Sequence, residues 1–242
     1  MRMVIRSGFI RRIKSTWMRS APHFWWGDRL DPRFVVAQLV GQLRHQRVLD
    51  VGCNAGIILS ELDESNICIG VDLSVEALQI ARGLTPSAVL IRADMLQLPF
   101  QNTSFDVVIF CAMLEVPTWE HKSMAVAELA RVLRPGGRVY LTTPNRRYLR
   151  YRHLALRVTY EELRELLLPE FTFEIKGFNP FPPFPYFLPN CLLARVPGIW
   201  GILVTLMKRG FGKRHSCAFL VEAVKKVPVG KPELLGAAAH PC

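Results

Sequence analysis

Several features that would settle the class of this 242-residue chain are missing from it. Its six cysteines form no Cys-x-x-Cys pair and have no accompanying histidine cluster, so we expect neither a metal site nor a disulfide framework. No apolar run reaches the roughly 18 residues that a spanning helix needs. Residues 1–20 also lack the compact apolar core of a secretory signal. These absences favour a cytoplasmic protein whose cysteines pack as small core residues.

Acidic residues are scarce relative to basic ones. The chain has 31 Lys and Arg against 20 Asp and Glu, which gives a net charge of +11. Such an excess favours an anionic partner and leaves three classes open: a phosphorylated substrate, a nucleic acid or a membrane surface. Residues 1–20 and 129–160 contain no acid at all.

The acid-free N-terminus has a helical period. Its large apolar side chains recur every four residues, at Ile5, Phe9, Ile13 and Trp17. This spacing predicts a basic amphipathic helix. Such a helix lies in a membrane interface or packs on its own domain as a lid, and a mitochondrial transit peptide has the same composition. A second helix is predicted from Phe34 to Leu43, with Asp31 before Pro32 as its start.

From Arg47 onward, short apolar runs alternate with helical stretches. Because the runs are apolar throughout, they are typical of strands whose two faces are covered by helices. The pattern predicts a doubly wound, mostly parallel, seven-stranded α/β sheet with a Rossmann-like arrangement. The predicted strands are Val48–Val51, Ile67–Val71, Val89–Ile91, Phe105–Phe110, Arg138–Thr142, Phe171–Gly177 and Ala218–Val224.

These patterns divide the chain into three parts. Residues 1–46 form an N-terminal helical extension, residues 47–226 form the α/β domain, and residues 227–242 form a Gly-, Pro- and Ala-rich tail that we expect to be disordered. Before the last strand, residues 178–214 form an apolar, Pro- and Phe-rich insertion that ends in basic residues. The insertion is too broken by Pro, Gly and Arg to span a bilayer well.

The first strand runs into a glycine-bearing turn, Val48–Gly56, which we expect to be followed by a helix. Gly52 and Gly56 allow a tight turn, and N–H groups at a helix start can bind a carboxylate or phosphate. The second strand ends in Asp72, which is placed to accept hydrogen bonds from ribose hydroxyls. An NAD-dependent enzyme shares these features, but Asn54 stands where a dinucleotide fingerprint has its second glycine.

Four blocks in order resemble the class I S-adenosylmethionine-dependent methyltransferases, particularly the ubiquinone/menaquinone-biosynthesis type. The first two blocks are Val48–Gly56 and Gly70–Ser74. The third is Ala93–Phe100, which carries the D-x-x-x-L-P-F pattern and is followed by the F-D-x-V pattern at Phe105. The fourth is Arg131–Leu141, with its L-x-P-G-G pattern. The resemblance implies a methyltransferase that uses S-adenosyl-L-methionine as its cofactor.

The resemblance also implies which residues hold that cofactor. Asp50 and the glycine turn would hold the methionine moiety, and Asp72 would bind the ribose hydroxyls. Leu73 would pack against adenine, while Asp94 would accept a hydrogen from the adenine amino group beside the Met95 backbone. The full cofactor-binding set is Asp50, Gly52, Cys53, Asn54, Gly56, Asp72, Leu73, Asp94, Met95 and Cys111.

The catalytic groups are less marked, because a sulfonium methyl is already activated. A general base is needed only when the acceptor starts protonated. The two candidates on the acceptor side are His153, after the fifth strand, and Glu115, after the fourth. Non-catalytic roles are equally open for both residues: His153 could fix a loop by hydrogen bonds, and Glu115 could be solvated or cap a helix. Basic residues fill the loop around His153, at Arg146, Arg147, Arg150, Arg152 and Arg157.

The leading hypothesis is a methyltransferase for a small lipophilic or phosphate-bearing acceptor, such as a quinone, isoprenoid or lipid-like molecule, with peripheral association to an anionic membrane. A nucleic-acid or protein methyltransferase is an alternative. The D/N-P-P-Y/F motif of amino-methylating DNA enzymes is absent at residues 111–116, however, and no RNA-binding module flanks the core. A non-catalytic adenosyl-binding protein and a nicotinamide-dependent dehydrogenase are the remaining alternatives.

Overall fold

The computed structural model describes residues 32–115, 118–146, 157–178, 216 and 218–227. Within them a sheet of seven strands has the order β3-β2-β1-β4-β5-β7-β6. The first five strands are parallel, and β7 runs antiparallel between β5 and β6. The mostly parallel seven-stranded sheet is therefore confirmed. The strands are β1 Arg47–Val51, β2 Ile67–Asp72, β3 Val89–Arg92, β4 Phe105–Cys111, β5 Leu133–Pro144, β6 Phe171–Phe178 and β7 Ala218–Lys225.

Four α-helices lie in the described residues: α1 Pro32–Val40, α2 Val75–Leu84, α3 Trp119–Val132 and α4 Tyr160–Leu167. Helix α1 begins at Pro32 as predicted but ends at Val40, before Leu43: the Gly41 amide still donates four residues back to Ala37, whereas the Leu43 amide donates only three residues back to Val40, as in a turn. Helix α4 begins with a capping box: the Thr159 hydroxyl accepts from the Glu162 amide, and the Glu162 carboxylate accepts from the Thr159 amide.

The prediction of a helix after Gly56 is wrong. The segment forms turns and a single 3-10 turn at Leu59–Glu61. Only residues 57–66 separate the glycine turn from β2, and the last four of them are needed for a tight turn in which Asp63 accepts from the amides of Ser65 and Asn66. Too few residues remain to complete an α-helix of ordinary length.

Two hydrophobic clusters lie on the two faces of the sheet. Because strand side chains alternate between faces, Leu49 belongs to one cluster, with the buried faces of α3 and α4, while its neighbour Val48 belongs to the other, with α1. The central strand β4 contributes Phe110 to the first cluster and Ile109 to the second, and both are fully buried. This double covering explains why the central strands β1 and β4 are almost wholly buried.

The Pro-Gly-Gly block forms the start of β5, where the pairing with β4 shifts register between Phe105 and Val107. Gly136 has a φ of +74° and its side-chain position is open, whereas Gly137 is enclosed. A Cβ on Gly137 would lie 2.9 Å from the Arg134 carbonyl oxygen and 3.0 Å from the Asp106 carbonyl oxygen. Backbone oxygens in a sheet cannot move aside as a side chain can.

We therefore expect Gly137→Ala to lower the free energy of unfolding by about 1–3 kcal/mol, the usual cost of overpacking. The matched control is Gly83→Ala in α2, where an added Cβ meets nothing within 4 Å. That change should raise stability by about 0.5–1 kcal/mol, since alanine favours a helix over glycine. Urea unfolding of both variants checks the pair, and equal effects would contradict the packing argument.

Several expectations fall outside the described residues: the N-terminal amphipathic helix, the insertion and the tail beyond Val227. Among the helices that are described, none combines the length and hydrophobicity required to cross a bilayer.

Candidate functional site

A cleft of about 300 Å³ opens at the carboxyl ends of the parallel strands. In such sheets this edge is the usual place for ligands. The cleft brings together the ends of β1, β2 and β3 with the residues that follow β4. Its lining residues are Val51, Gly52, Val71, Asp72, Leu73, Ala93, Asp94, Met95, Leu96, Met113 and His121.

Asp72, at the end of β2, is held by two backbone amides. One carboxylate oxygen accepts from the Asn54 amide and the other from the Ser74 amide, both at 2.9 Å. The carboxylate is half-buried and lines the cleft, so its remaining lone pairs are available to ligand hydroxyls. Beside it Leu73 is 59% exposed, which leaves an apolar surface for a flat ring.

The glycine turn differs from expectation in how it can hold a ligand. The amides of Gly52 and Cys53 both donate to the Val71 carbonyl, at 2.8 and 2.9 Å. The next three amides, from Asn54 to Gly56, are also bonded within the protein. Free N–H groups for an anion are thus not found here. Asn54 adopts a left-handed conformation, with a φ of +48°, which asparagine tolerates better than most residues.

Asp50 is the buried charge of the site. It is 2% exposed in the middle of the sheet, near Asp72. Burial, and then the negative charge of Asp72, raise the pKa of Asp50 to about 7. Cys53 is also buried, and burial together with the two carboxylates raises the pKa of its thiol. Cys53 is therefore an unreactive core residue whose side chain does not line the cleft.

The chain leaving β4 supplies a wall of the cleft that the sequence did not mark. Cys111 ends the strand and is buried, and Ala112 follows with a φ of +58° while its amide donates to the Thr142 carbonyl. This bend places the Met113 side chain over Gly52, where an added Cβ would meet the Met113 sulfur at 2.3 Å. Gly52 has a φ of +75°, so any side chain there would be strained, and it would also displace the flexible end of Met113.

Asp94 lies on the opposite side, in the loop after β3. Its carboxylate accepts from the Leu96 amide at 2.9 Å, and its carbonyl accepts from the Gln97 amide at 3.1 Å. The Asp94 side chain is exposed, and Met95 and Leu96 line the cleft beside it. The structure thus brings Asp72, Leu73, Asp94 and Met95 to one cleft.

His121 is a lining residue that sequence reasoning missed. It lies in the first turn of α3, and its Nδ1 is 2.6 Å from the Thr118 hydroxyl, which also accepts from the His121 amide as the helix N-cap. Nε2 is therefore the ring atom left for a ligand. The only signal in the sequence was the Thr118 N-cap three residues earlier, which does not reveal that this turn faces the cleft.

Of the two predicted catalytic residues, Glu115 is described, and it is not among the residues that line the cleft. Glu115 forms an ion pair with Arg157, which is 6% exposed, at 3.6 Å. His153 lies outside the described residues. Arg146, in the same basic loop, pairs with Glu162 at the start of α4. Both described arginines of the predicted basic run are therefore engaged by carboxylates.

Comparison with known proteins identifies relatives of the α/β core. A family model described as a methyltransferase domain matches residues 49–141. The chain is 31% identical over 173 residues to the ubiquinone biosynthesis O-methyltransferase of Nitrosococcus oceani, which covers 64% of this chain and 70% of that protein. It is 36% identical over 130 residues to the malonyl-(acyl-carrier protein) O-methyltransferase of Enterobacter lignolyticus, covering 52% of this chain and 50% of that one. The chain spans half or less of the length of several curated relatives that it matches.

Solved structures share the architecture at lower identity. A methyltransferase of Thermotoga maritima, described as a possible histamine N-methyltransferase, superposes with a TM-score of 0.58 at 17% identity, covering 90% of this chain and 99% of that one. The cyclase SpnF superposes with a TM-score of 0.60 at 22% identity, covering 89% and 93%. Such likeness establishes the fold alone, since one of these neighbours is a cyclase.

Proposed function

Because this chain belongs to the class I S-adenosylmethionine-dependent methyltransferases, we propose that it transfers a methyl group to a small, lipophilic acceptor. The observation that carries the proposal is the convergence of Asp72 and Asp94 on one cleft whose floor is the glycine turn. S-adenosylmethionine, when bound, supplies an activated methyl on a sulfonium. The protein's task is then to bind it, orient the acceptor and exclude water.

The cleft fits an adenosyl group. Asp72 would accept hydrogen bonds from the ribose hydroxyls, in an orientation fixed by the amides of Asn54 and Ser74. The exposed Leu73 side chain would pack on one face of adenine, and Asp94 would accept from its amino group. Each of these groups already lines the cleft.

The methionine end would lie along the glycine turn, beside the Met113 side chain that covers Gly52. Asp50, two residues before Gly52, would favour a cationic ligand in its ionised form. Since the turn amides are bonded internally, the turn would contribute shape and Asp50 would contribute charge. Cys53, Asn54 and Gly56 would act by setting the turn, and Cys111 by leading the chain to Met113.

For the acceptor, we favour a lipophilic molecule of the quinone or isoprenoid class. A ubiquinone biosynthesis O-methyltransferase is among the relatives. Arg146 pairs with Glu162, and Arg157 pairs with Glu115. Each carboxylate offsets the charge of its arginine, so these two pairs attract a phosphate less than free arginines would. The N-terminal stripe from Ile5 to Trp17 would bring the cytoplasmic enzyme to an anionic membrane, where such an acceptor resides.

On the acceptor side, three residues could handle a proton. His153 stays a proposed general base for a hydroxyl acceptor. Glu115 is better placed to orient Arg157 than to touch the acceptor, given their ion pair. His121 faces the cleft itself, with Nε2 as its available atom.

The proposed function is tested by calorimetry and a labelled-methyl assay on the full chain. We expect S-adenosylmethionine and its demethylated product to bind with dissociation constants of micromolar order, about −8 kcal/mol, and NAD not to bind. Radiolabelled cofactor is then incubated with lipid, polar-metabolite, RNA and protein fractions, with and without anionic vesicles. Label in the lipid fraction, increased by vesicles, is the expected result.

Three outcomes would count against it. Label in RNA or protein would show that the acceptor is a nucleic acid or a protein. Label in phosphorylated polar metabolites would show that the acceptor is not lipophilic. Failure of folded protein to bind either adenosyl compound would overturn the function as a whole. A reaction with boiled enzyme provides the background for each fraction.

A further inference from the structure

The loop of residues 93–102, which we call the β3–β4 loop, has an unusual position for a ligand-binding segment. It follows β3, which lies at one edge of the sheet that the described residues form. Its first part lines the cleft through residues 93–96, including Asp94. Its second part is anchored in the core by Leu98, 3% exposed, and by Phe100, which meets Phe105 edge to face at 4.9 Å.

One arginine of helix α3, Arg131, binds this second part of the loop by hydrogen bonds. Arg131 donates to the carbonyls of Leu98 and Phe100, at 2.9 and 2.7 Å, and to the Asn102 side chain at 3.0 Å. It also donates twice to the Glu128 carboxylate, at 2.6 and 2.8 Å. In turn, Glu128 accepts from the Leu98 amide at 2.8 Å. Glu128 thus binds a backbone N–H of the β3–β4 loop, and Arg131 binds two of its backbone carbonyls.

The chemistry of this pair is specific to arginine. A guanidinium has five N–H donors in a planar fork, and Arg131 makes five hydrogen bonds with them. A lysine at this position has three donors on one atom and cannot reach three separate loop oxygens and a carboxylate together. The Arg131 hydrogen bond also lowers the pKa of Glu128, so the pair stays charged across the physiological range.

We propose that Glu128 and Arg131 are positioning residues that fix Asp94 for recognition of the cofactor's base. The inference rests on the proposed function, since it takes Asp94 as the group that meets the adenine amino hydrogen. Asp94 lies between two fixed points: β3 ends two residues before it, at Arg92, and Leu98, four residues after it, is bound by Glu128 and Arg131. Loss of the Glu128 and Arg131 hydrogen bonds would increase the mobility of the Asp94 carboxylate, whereas the part of the cleft formed by β1 and β2 would stay intact.

The test compares two probes that differ at the base. S-adenosylhomocysteine carries the amino group, and S-inosylhomocysteine carries a carbonyl in its place. For the wild type we expect the adenosyl compound to bind at least about tenfold more tightly, as for a lost hydrogen bond to a charged group. In Arg131→Lys we expect this ratio to fall to about threefold or less, since the adenosyl compound loses most. Calorimetry on the full chain measures both dissociation constants.

Two further variants separate positioning from plain stability. Arg134→Lys is the matched control, because Arg134 forms an ion pair with Asp106 at 2.8 Å and makes no contact with the β3–β4 loop; it should keep the wild-type ratio. Glu128→Gln, which retains one acceptor for Leu98, should give an intermediate ratio and covers the case in which Arg131→Lys does not fold.

The outcomes are distinct. An unchanged ratio in folded Arg131→Lys, or equal weakening of both probes, means that the pair serves stability only and overturns the proposal. A wild type that binds both probes equally overturns it too, while leaving cofactor binding intact. A wild type that binds neither probe is the separate failure of the proposed function, and the positioning role falls with it.

Discussion

Asp72→Ala is expected to weaken binding of S-adenosylmethionine by roughly 100- to 10,000-fold, because each hydrogen bond to a charged carboxylate contributes about 1.5–3 kcal/mol and two ribose hydroxyls lose their acceptor. The carboxylate is already oriented by the amides of Asn54 and Ser74, so little of this energy is spent on ordering it. No other carboxylate at the end of β2 can substitute for it.

Calorimetry with S-adenosylhomocysteine checks this prediction. The control is Glu76→Ala, which removes the same charge four residues away, where Glu76 accepts from the Ser74 hydroxyl outside the cleft lining. It should leave affinity within about threefold of wild type, a difference of less than 1 kcal/mol. Circular dichroism establishes that both variants fold. A folded Asp72→Ala protein with wild-type affinity would remove Asp72 from the site.

The second large effect concerns the pH dependence of stability at Asp50. The pKa of this carboxyl is raised from its ordinary 3.8 to about 7 by burial and by Asp72. The unfolded chain therefore releases the proton near pH 4, whereas the folded protein keeps it until about pH 7. Folding is favoured by this group at low pH, and the advantage is lost as pH rises through that window.

Asp50→Asn removes this penalty. We expect the difference in unfolding free energy between the variant and the wild type to increase from pH 4 to pH 7, in favour of the variant. Above pH 7 it should level off, with a total change on the order of 4 kcal/mol at most. Urea unfolding across that range measures it, and taking the difference cancels the other titrating groups. A flat difference would mean that Asp50 is ionised throughout.

The same carboxyl should couple cofactor binding to proton release. A cationic ligand above Asp50 favours its ionised form and so lowers its pKa in the complex. Affinity should therefore rise with pH up to about 7, by at most tenfold per unit, and be constant above it. Calorimetry at pH 6 in buffers of different ionisation enthalpy counts the released proton. Asp50→Asn should release none; the same release in both proteins would contradict the coupling.

The fold was readable in the sequence because its signals are local. Apolar runs such as Val48–Val51 mark strands by themselves, and the capping box at Thr159 and Glu162 spans a single turn. Asp72 and Asp94 could be placed at one edge because parallel strands bring their carboxyl ends together. For the helix expected after Gly56, the local signal was misleading, since the connection to β2 is too short to hold it.

What only the tertiary structure decided are the contacts between residues far apart in the chain. Arg157 meets Glu115 and Arg146 meets Glu162, so the two described arginines of the basic run are engaged within the protein. His121 faces the cleft because α3 packs beside the loop that carries Asp94. Arg131 reaches Leu98 across 33 positions. The sequence by itself determined the strands, because each depends on neighbouring residues, and the resemblance of its four ordered blocks to a known family implied the cofactor class. Which charges are engaged, and which side chains face the ligand, depend on packing between elements, and no local pattern encodes that.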